Sequence, residues 1–211
     1  MGSEEVTIHP ADASPRDLYK LLIGLIVPRP IAWVSTRGKD GVNNLAPFSF
    51  FNAFSADPPV VGFAPSRKVD GDNRKDTLRN VEDTGVFVVN MVNEAVAEAM
   101  NQSAADVPPE VDEFTLGNVT PTPATLIDCP MVAEAPAKLE CRVQQIIPMG
   151  DRPTSGILVL GEIVCFHLND AMVDNFRIDP DVLRAVGRMG GMSYARTRDR
   201  FELIRPGMMK G

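Results

Sequence analysis

The chain has 211 residues, a formal net charge of −7 and a sequence pI of about 4.9, with 44% hydrophobic and 23% charged residues. That is enough chain to bury a core, while the acid balance argues against the broad basic face of a nucleic-acid binder, and no apolar run reaches the ~18–20 residues of a membrane-spanning helix. Three scattered cysteines (Cys129, Cys141, Cys165) without a CxxC, and an acidic N-terminus without the apolar stretch of a secretory signal, fit a reducing cytoplasm.

Ser14-Pro15-Arg16-Asp17 reads as a helix start, with a hydroxyl cap, proline at the first position and a carboxylate three residues on. Leu18, Leu21, Leu22 and Leu25 follow at helical spacing until Pro28 and Pro30 end the segment, and the helix is expected to cover something apolar. IAWVST is a strand, RGKDG a turn, and a hairpin then leads into NLAPFSFFNAFSADPPVVGF, residues 44–63. This stretch mixes Phe48, Phe50, Phe51 and Phe54 with Ser49, Asn52 and Ser55. A strand buried on both faces has little use for those polar groups, and a surface strand does not need the rings.

Beyond it, Asp76–Gly85 reads as a short helix with an acidic start and a glycine stop, VFVVNMV as a buried strand, and NEAVAEAMNQ as an amphipathic helix capped by Asn93. Residues 102–130 carry five prolines and read as an insertion over the surface or across a partner. APAKLECRVQQIIP and GILVLGEIVCFHLND are two long strands joined by MGDRPTS. Strands in hairpins with helices between them predict a mainly β chain, an antiparallel barrel with flanking helices.

No GxGxxG, P-loop, HExxH or GxSxG is present, and His9 and His167 are the only histidines. If the chain is an enzyme, a cofactor carries the hard chemistry. Ser66, Arg67, Lys68, Asn73, Arg74, Lys75, Thr77 and Arg79 form a basic, hydroxyl-bearing stretch that leads into the start of a helix, which suits a phosphate. A solvated loop balanced by Asp70, Asp72 and Asp76 is the plainer reading. Phe48-Ser49-Phe50-Phe51-Asn52 suits a flat aromatic ring edged with hydrogen-bonding groups, or else a core strand with incidental polar residues. FMN has both a ring and a phosphate.

The segments RPIAWVST, NLAPFSFFNAFSADPPVVGF, RKDTLRNVEDTGVFVVN, DEFTLGNVTP, AKLEC, LVLGEIVCFHLND and VGRMGGMSY, in that order, resemble the flavin reductase-like family of the DIM6/NTAB type, with the FMN-binding split-barrel fold. The resemblance runs through nearly the whole chain. It implies one split-barrel domain over residues 1–211, with a helical extension over about 1–28 and the insertion at about 102–130. It also implies a cytoplasmic homodimer that holds FMN non-covalently, often near the dimer interface. Carried over by position, Phe48, Ser49, Phe50 and Asn52 match the strand lining the flavin. Ser66, Arg67, Lys75, Asp76 and Thr77 match the phosphate segment, and Arg188, Gly190 and Tyr194 match the C-terminal motif at the cofactor.

The activity so implied is NAD(P)H-dependent reduction of FMN, followed by electron transfer to an acceptor. No catalytic residue or metal ligand is assigned, and neither nucleic acid nor membrane is expected as a partner. An FMN electron carrier, a pyridoxamine-phosphate-oxidase-like oxidase and a flavin-free dimeric barrel remain as alternatives. His167 reads as a satisfied barrel histidine, Trp33 as core or interface, and the cysteines as small apolar fillers.

Overall fold

A computed structural model describes residues 5–67 and 74–207. Lys68, Asp70, Asp72 and Asn73 of the basic stretch lie outside the described residues, as do Met208 and Met209. Ser14 caps helix α1 (Pro15–Leu25): its hydroxyl accepts the Asp17 N–H at 3.2 Å and donates to the Asp17 carboxylate at 2.6 Å. The Asp17 carboxylate takes the Ser14 hydroxyl, where the second bond of a full capping box would take the cap's backbone N–H. No residue of α1 is buried, and Tyr19, Leu21, Leu22 and Leu25 are exposed. The apolar face expected to cover something stays largely open, with the Tyr19 ring tilted against Phe50 at 6.3 Å between centroids.

Strands β1 (Ala32–Arg37), β2 (Asn43–Phe48), β3 (Phe51–Ala56) and β4 (Pro59–Phe63) come next, then helix α2 (Asp76–Thr84), stopped by Gly85 at φ 70°. β5 (Val86–Met91) leads to α3 (Ala97–Gln102). That helix begins later than the sequence suggests, because Asn93 caps the preceding turn, accepting N–H groups from Ala95 and Val96. The 102–130 segment holds α4 (Glu113–Gly117) and a short ribbon of β6 (Pro121–Pro123) with β7 (Pro130–Val132). β8 (Ala137–Pro148) and β9 (Ile157–Leu168) form a long hairpin. The chain then passes a small ribbon, β10 (Val173–Asp174) with β11 (Arg177–Ile178), and a turn of helix, α5 (Pro180–Leu183). It closes with the hairpin of β12 (Val186–Arg188) and β13 (Tyr194–Arg196).

Seven strands form one antiparallel sheet in the order β2-β1-β5-β8-β9-β4-β3. β2 and β3 follow each other in the chain yet stand at opposite ends of that ladder, with only Ser49 and Phe50 between them. In a flat sheet six strand spacings would hold them about 29 Å apart, whereas three Cα steps reach about 11 Å at most. The sheet must therefore curl until its two ends meet. This is the split barrel expected from the sequence, with its seam between β2 and β3.

The curl creates two cores. Ala32, Val34, Phe48, Val61, Phe63, Phe87, Leu139 and Val159 fill the interior, and α2 plugs it with Leu78 and Val81. Gly161 belongs to this packing, since a Cβ there would lie 2.5 Å from the Phe87 ring. On the outer face, Trp33 and Leu45 pack with Met100 of α3 and Phe114 of α4, and the Trp33 indole N–H donates to Ser103 Oγ at 2.8 Å. Residues 102–130 are thus partly core: they cover the outside of β1 and β2, while Leu116 stays exposed. Cys129 and Cys141 are buried and free, and burial pushes the Cys129 thiol up to about 12.

Glu140 is fully buried between Leu139 and Cys141, which face the interior. Its carboxylate accepts N–H groups from Thr125 at 2.7 Å and Leu126 at 2.8 Å and lies 2.5 Å from His167 Nε2. Burial alone would raise its pKa; the Thr125 N–H, His167 and the Leu126 N–H outweigh that and hold it below the ordinary 4.5. A depressed carboxylate contributes stability that is complete above its unfolded pKa and is lost as pH falls through the folded value. Glu140→Gln, whose amide cannot accept from both turn residues and His167, should lower stability at pH 7 by about 1–3 kcal/mol and flatten the loss of stability below pH 4.5. Urea unfolding at several acid pH values measures this. Parallel wild-type and variant curves would contradict it.

Candidate functional site

Beside the seam lies a cleft of about 850 Å³. One wall is β2, through Asn44, Ala46 and Pro47; another is the start of α2, through Lys75, Asp76 and Thr77. Arg67 closes one side and residues 103–107 the other, with Glu113 of α4 at the back. Four positions that the sequence assigned to a phosphate therefore share one concavity with the strand that enters the aromatic stretch. Arg67 is steered there by its backbone, whose N–H donates to Ser155 O at 3.0 Å, and by its Nε–H, which donates to Gly150 O at 3.2 Å. Lys75 precedes α2 and is exposed, with its ammonium 5.8 Å from the centre of the Phe48 ring.

The remaining cations of the basic stretch are used differently. Arg74 pairs with Glu82 at 2.7 Å, and Arg79 with Asp76 at 3.1 Å, so both brace the helix. Ser66, an exposed residue, bridges to Gly156 through its backbone.

The aromatic stretch divides by face. The Phe48 ring points into the barrel against Phe63, 5.1 Å between centroids. Phe50 is exposed and stacks loosely on Tyr19 of α1, and Asn52 is exposed on edge strand β3, its amide oxygen accepting the Ala53 N–H. Neither Phe50 nor Asn52 lines the cleft. The mixture of rings and polar groups has a simple origin here: β2 faces the core, β3 faces outward, and the polar residues lie at the junction.

Ser49 marks that junction, and the group that holds it was missed in the sequence. Arg29, 5% exposed, donates from Nε to Ser49 Oγ at 3.2 Å, from Nη1 to the carbonyls of Ile23 and Ile26, and from Nη2 to Met189 O at 3.0 Å. Its backbone bridges to Arg188. One guanidinium thus ties the end of α1, the seam and the C-terminal hairpin together. In that hairpin Arg188 lies over the Tyr194 ring at 4.5 Å, and Gly187 allows Pro28 to pack where a Cβ would come within 2.8 Å. Arg188, Gly190 and Tyr194 accordingly surround the Arg29 junction and do not line the cleft. The signal for Arg29 was its place in RPIAWVST; the signal for Glu113 was DEFTLGN.

Behind the cleft sits a buried polar chain. Asn44 Nδ2 donates to Glu113 Oε1 at 2.8 Å, and Leu45 N–H to Glu113 Oε2 at 3.0 Å. The Thr77 and Thr36 hydroxyls both donate to Asn44 Oδ1, at 2.7 and 3.2 Å. Burial raises the Glu113 pKa, and the hydrogen bonds it accepts offset this only in part.

An anion at this cleft would meet Arg67, Lys75 and the first amides of a nine-residue helix. Ala46, Pro47 and Val107 offer an apolar surface beyond them. The volume lies in the usual range for small-molecule sites.

A model of the flavin reductase-like domain matches residues 24–193. An uncharacterized protein of Halalkalibacterium halodurans is 40% identical over 94% of this chain and 96% of its own. The crystal structure of nitrilotriacetate monooxygenase component B from Bacillus cereus is similar with TM-score 0.92 and 36% identity, over 96% of this chain and 100% of that one. The 2-nitrobenzoate 2-nitroreductase of Pseudomonas fluorescens is similar with TM-score 0.86 and 33% identity, over 98% and 99%.

Arg29→Ala would leave the carbonyls of Ile23, Ile26 and Met189 and the Ser49 hydroxyl without the guanidinium. It should cost about 2–4 kcal/mol of stability and speed amide exchange at Met189–Ser193 more than in β8 and β9. Uniform exchange across the chain would show that Arg29 does not hold the hairpin.

Proposed function

The chain belongs to the flavin reductase-like family, and on that premise we propose that it is an FMN-dependent oxidoreductase that takes hydride from NADH or NADPH and passes electrons to a small acceptor. The observation that carries this reading is the cleft in which Arg67, Lys75 and the first turn of α2 meet the wall formed by β2. Bound FMN would supply the hydride-accepting and electron-passing chemistry.

The chain's own groups bind and orient. Arg67 and Lys75 hold the phosphate with charge-assisted hydrogen bonds, helped by the amides at the start of α2. Asp76 is turned toward Arg79, and Glu113 toward Asn44 and Leu45. Their charges are thereby answered by protein groups, which lessens their repulsion of a phosphate. Ala46 and Pro47 give the ring an apolar bed next to the seam. Ser49, fixed by Arg29, is the polar group at the ring end of this arrangement. Binding, not acid–base work by a side chain, is the protein's main contribution, since catalysis by differential stabilisation needs only preorganised groups around the cofactor.

The protein acts as a homodimer in this reading. α1 exposes Tyr19, Leu22 and Leu25, Ile26 continues the apolar face, and Phe50 of the seam turn and Phe54 of β3 are exposed beside it. An apolar face of this extent on an edge strand and its neighbouring helix calls for a cover, and a second copy would bring it next to the seam. Among the described residues no helix is long and apolar enough to cross a membrane, and the reading places the dimer in the cytoplasm.

The purified protein should be yellow and release FMN on denaturation. Arg67→Ala and Lys75→Ala should each weaken FMN binding about 10- to 100-fold, the worth of a hydrogen bond to a charged group, with riboflavin binding far less affected. Anaerobic NADH or NADPH should bleach the flavin; a carrier reduced only by a protein partner would stay yellow. Colourless protein whose melting temperature does not rise with FMN would defeat the reading. Light scattering should give twice the 22.9 kDa chain mass, and a monomer would defeat the dimer.

A further inference from the structure

The Thr77 hydroxyl is the natural candidate to donate to a phosphate at the start of α2. The buried chain behind the cleft points the other way. An ionised carboxylate can only accept hydrogen bonds, so Glu113 requires that Asn44 present its amide nitrogen to it, at 2.8 Å. The Asn44 oxygen must then face Thr77 and Thr36. Each hydroxyl has one proton, and at 2.7 Å the proton of Thr77 is directed to Asn44 Oδ1. Thr36 is bound in the same direction, and its oxygen receives the Asn80 amide at 3.1 Å. Thr77, Asn44 and Glu113 are all buried, at 1%, 6% and 7% exposure, so water does not compete freely for these bonds.

We propose that Glu113 is a positioning residue that sets the direction of this hydrogen-bond chain. Through Asn44 it turns the Thr77 hydroxyl into an acceptor toward the cleft and leaves anion binding to Arg67, Lys75 and main-chain N–H groups. The proposal rests on the reading of the cleft as an FMN site. It explains why a carboxylate stands at the back of a cleft meant for a phosphate: its charge is spent on fixing the amide of Asn44 and the Leu45 N–H.

An isosteric change reverses the chain. In Glu113→Gln the side-chain oxygen can still accept the Leu45 N–H, while the new NH₂ faces Asn44. Asn44 then flips, its nitrogen faces Thr77 and Thr36, and both hydroxyls become acceptors from Asn44. The Thr77 proton is released toward the cleft, where a phosphate can take it.

The readout is the ratio of FMN to riboflavin affinity, measured by titration in flavin fluorescence, because the two ligands differ only in the phosphate. Thr77→Val in the wild-type background should leave the ratio within about twofold, whereas a hydroxyl that donates to the phosphate would lower it about tenfold or more. Glu113→Gln should raise the ratio about tenfold, and adding Thr77→Val to it should remove that gain. A large drop in Thr77→Val alone, or a Glu113→Gln ratio that stays at the wild-type value, overturns the proposal. If Glu113→Gln does not fold, the Thr77→Val result alone still decides. Failure of the wild type to bind FMN would overturn the functional reading, an outcome distinct from binding with an unresponsive ratio.

Discussion

Two residues, Ser49 and Phe50, carry the chain from one end of a seven-stranded ladder to the other. No flat sheet can satisfy that connection, so the curl of the barrel, the position of its seam and the meeting of β2 with the start of α2 follow from it. Interior packing then holds the curl. Phe48, Phe63 and Phe87 stack in sequence through the barrel, and Leu78 and Val81 of α2 plug it. Because α2 is anchored from inside, its first turn and the cations beside it are fixed against β2, where a ligand would lie.

The seam is also where polar groups are tolerated. A closed barrel would pair every backbone group, while an open seam needs side chains to hold its ends. Arg29 does this for Ser49 and the C-terminal hairpin, and the Glu113–Asn44–Thr77 chain does it for β2 and α2. The two devices differ in kind. The guanidinium collects three carbonyls from two segments and a hydroxyl from a third, whereas the carboxylate holds the Asn44 amide and the Leu45 N–H. Both join distant parts of the chain.

Much of this was legible in the sequence because local rules agreed. The Ser14 cap, the Gly85 stop, the β-rich run of β1 and the length of the β8–β9 hairpin all carried their own signals. What was not legible depended on tertiary pairing. Asn93 looked like a helix cap but serves the turn before the helix. The 102–130 segment looked peripheral, yet Phe114 is core because β1 and β2 are buried on both faces. Phe50 and Asn52 looked like neighbours of the Arg67–Thr77 cluster, but Phe50 stands exposed in the seam turn and Asn52 on the exposed face of β3. Arg29 could not be assigned a role because its contacts with Ser49 and Met189 reach across to remote segments.

The central claim is that a flavin mononucleotide lies in the cleft with its phosphate at the first turn of α2. Backbone amide shifts on titration with FMN test it most directly. The account predicts that the amides of Asp76, Thr77 and Leu78 and that of Arg67 move strongly with FMN and much less with riboflavin. Shifts centred instead on the separate cleft around Asn93, Lys138 and His167 would contradict it.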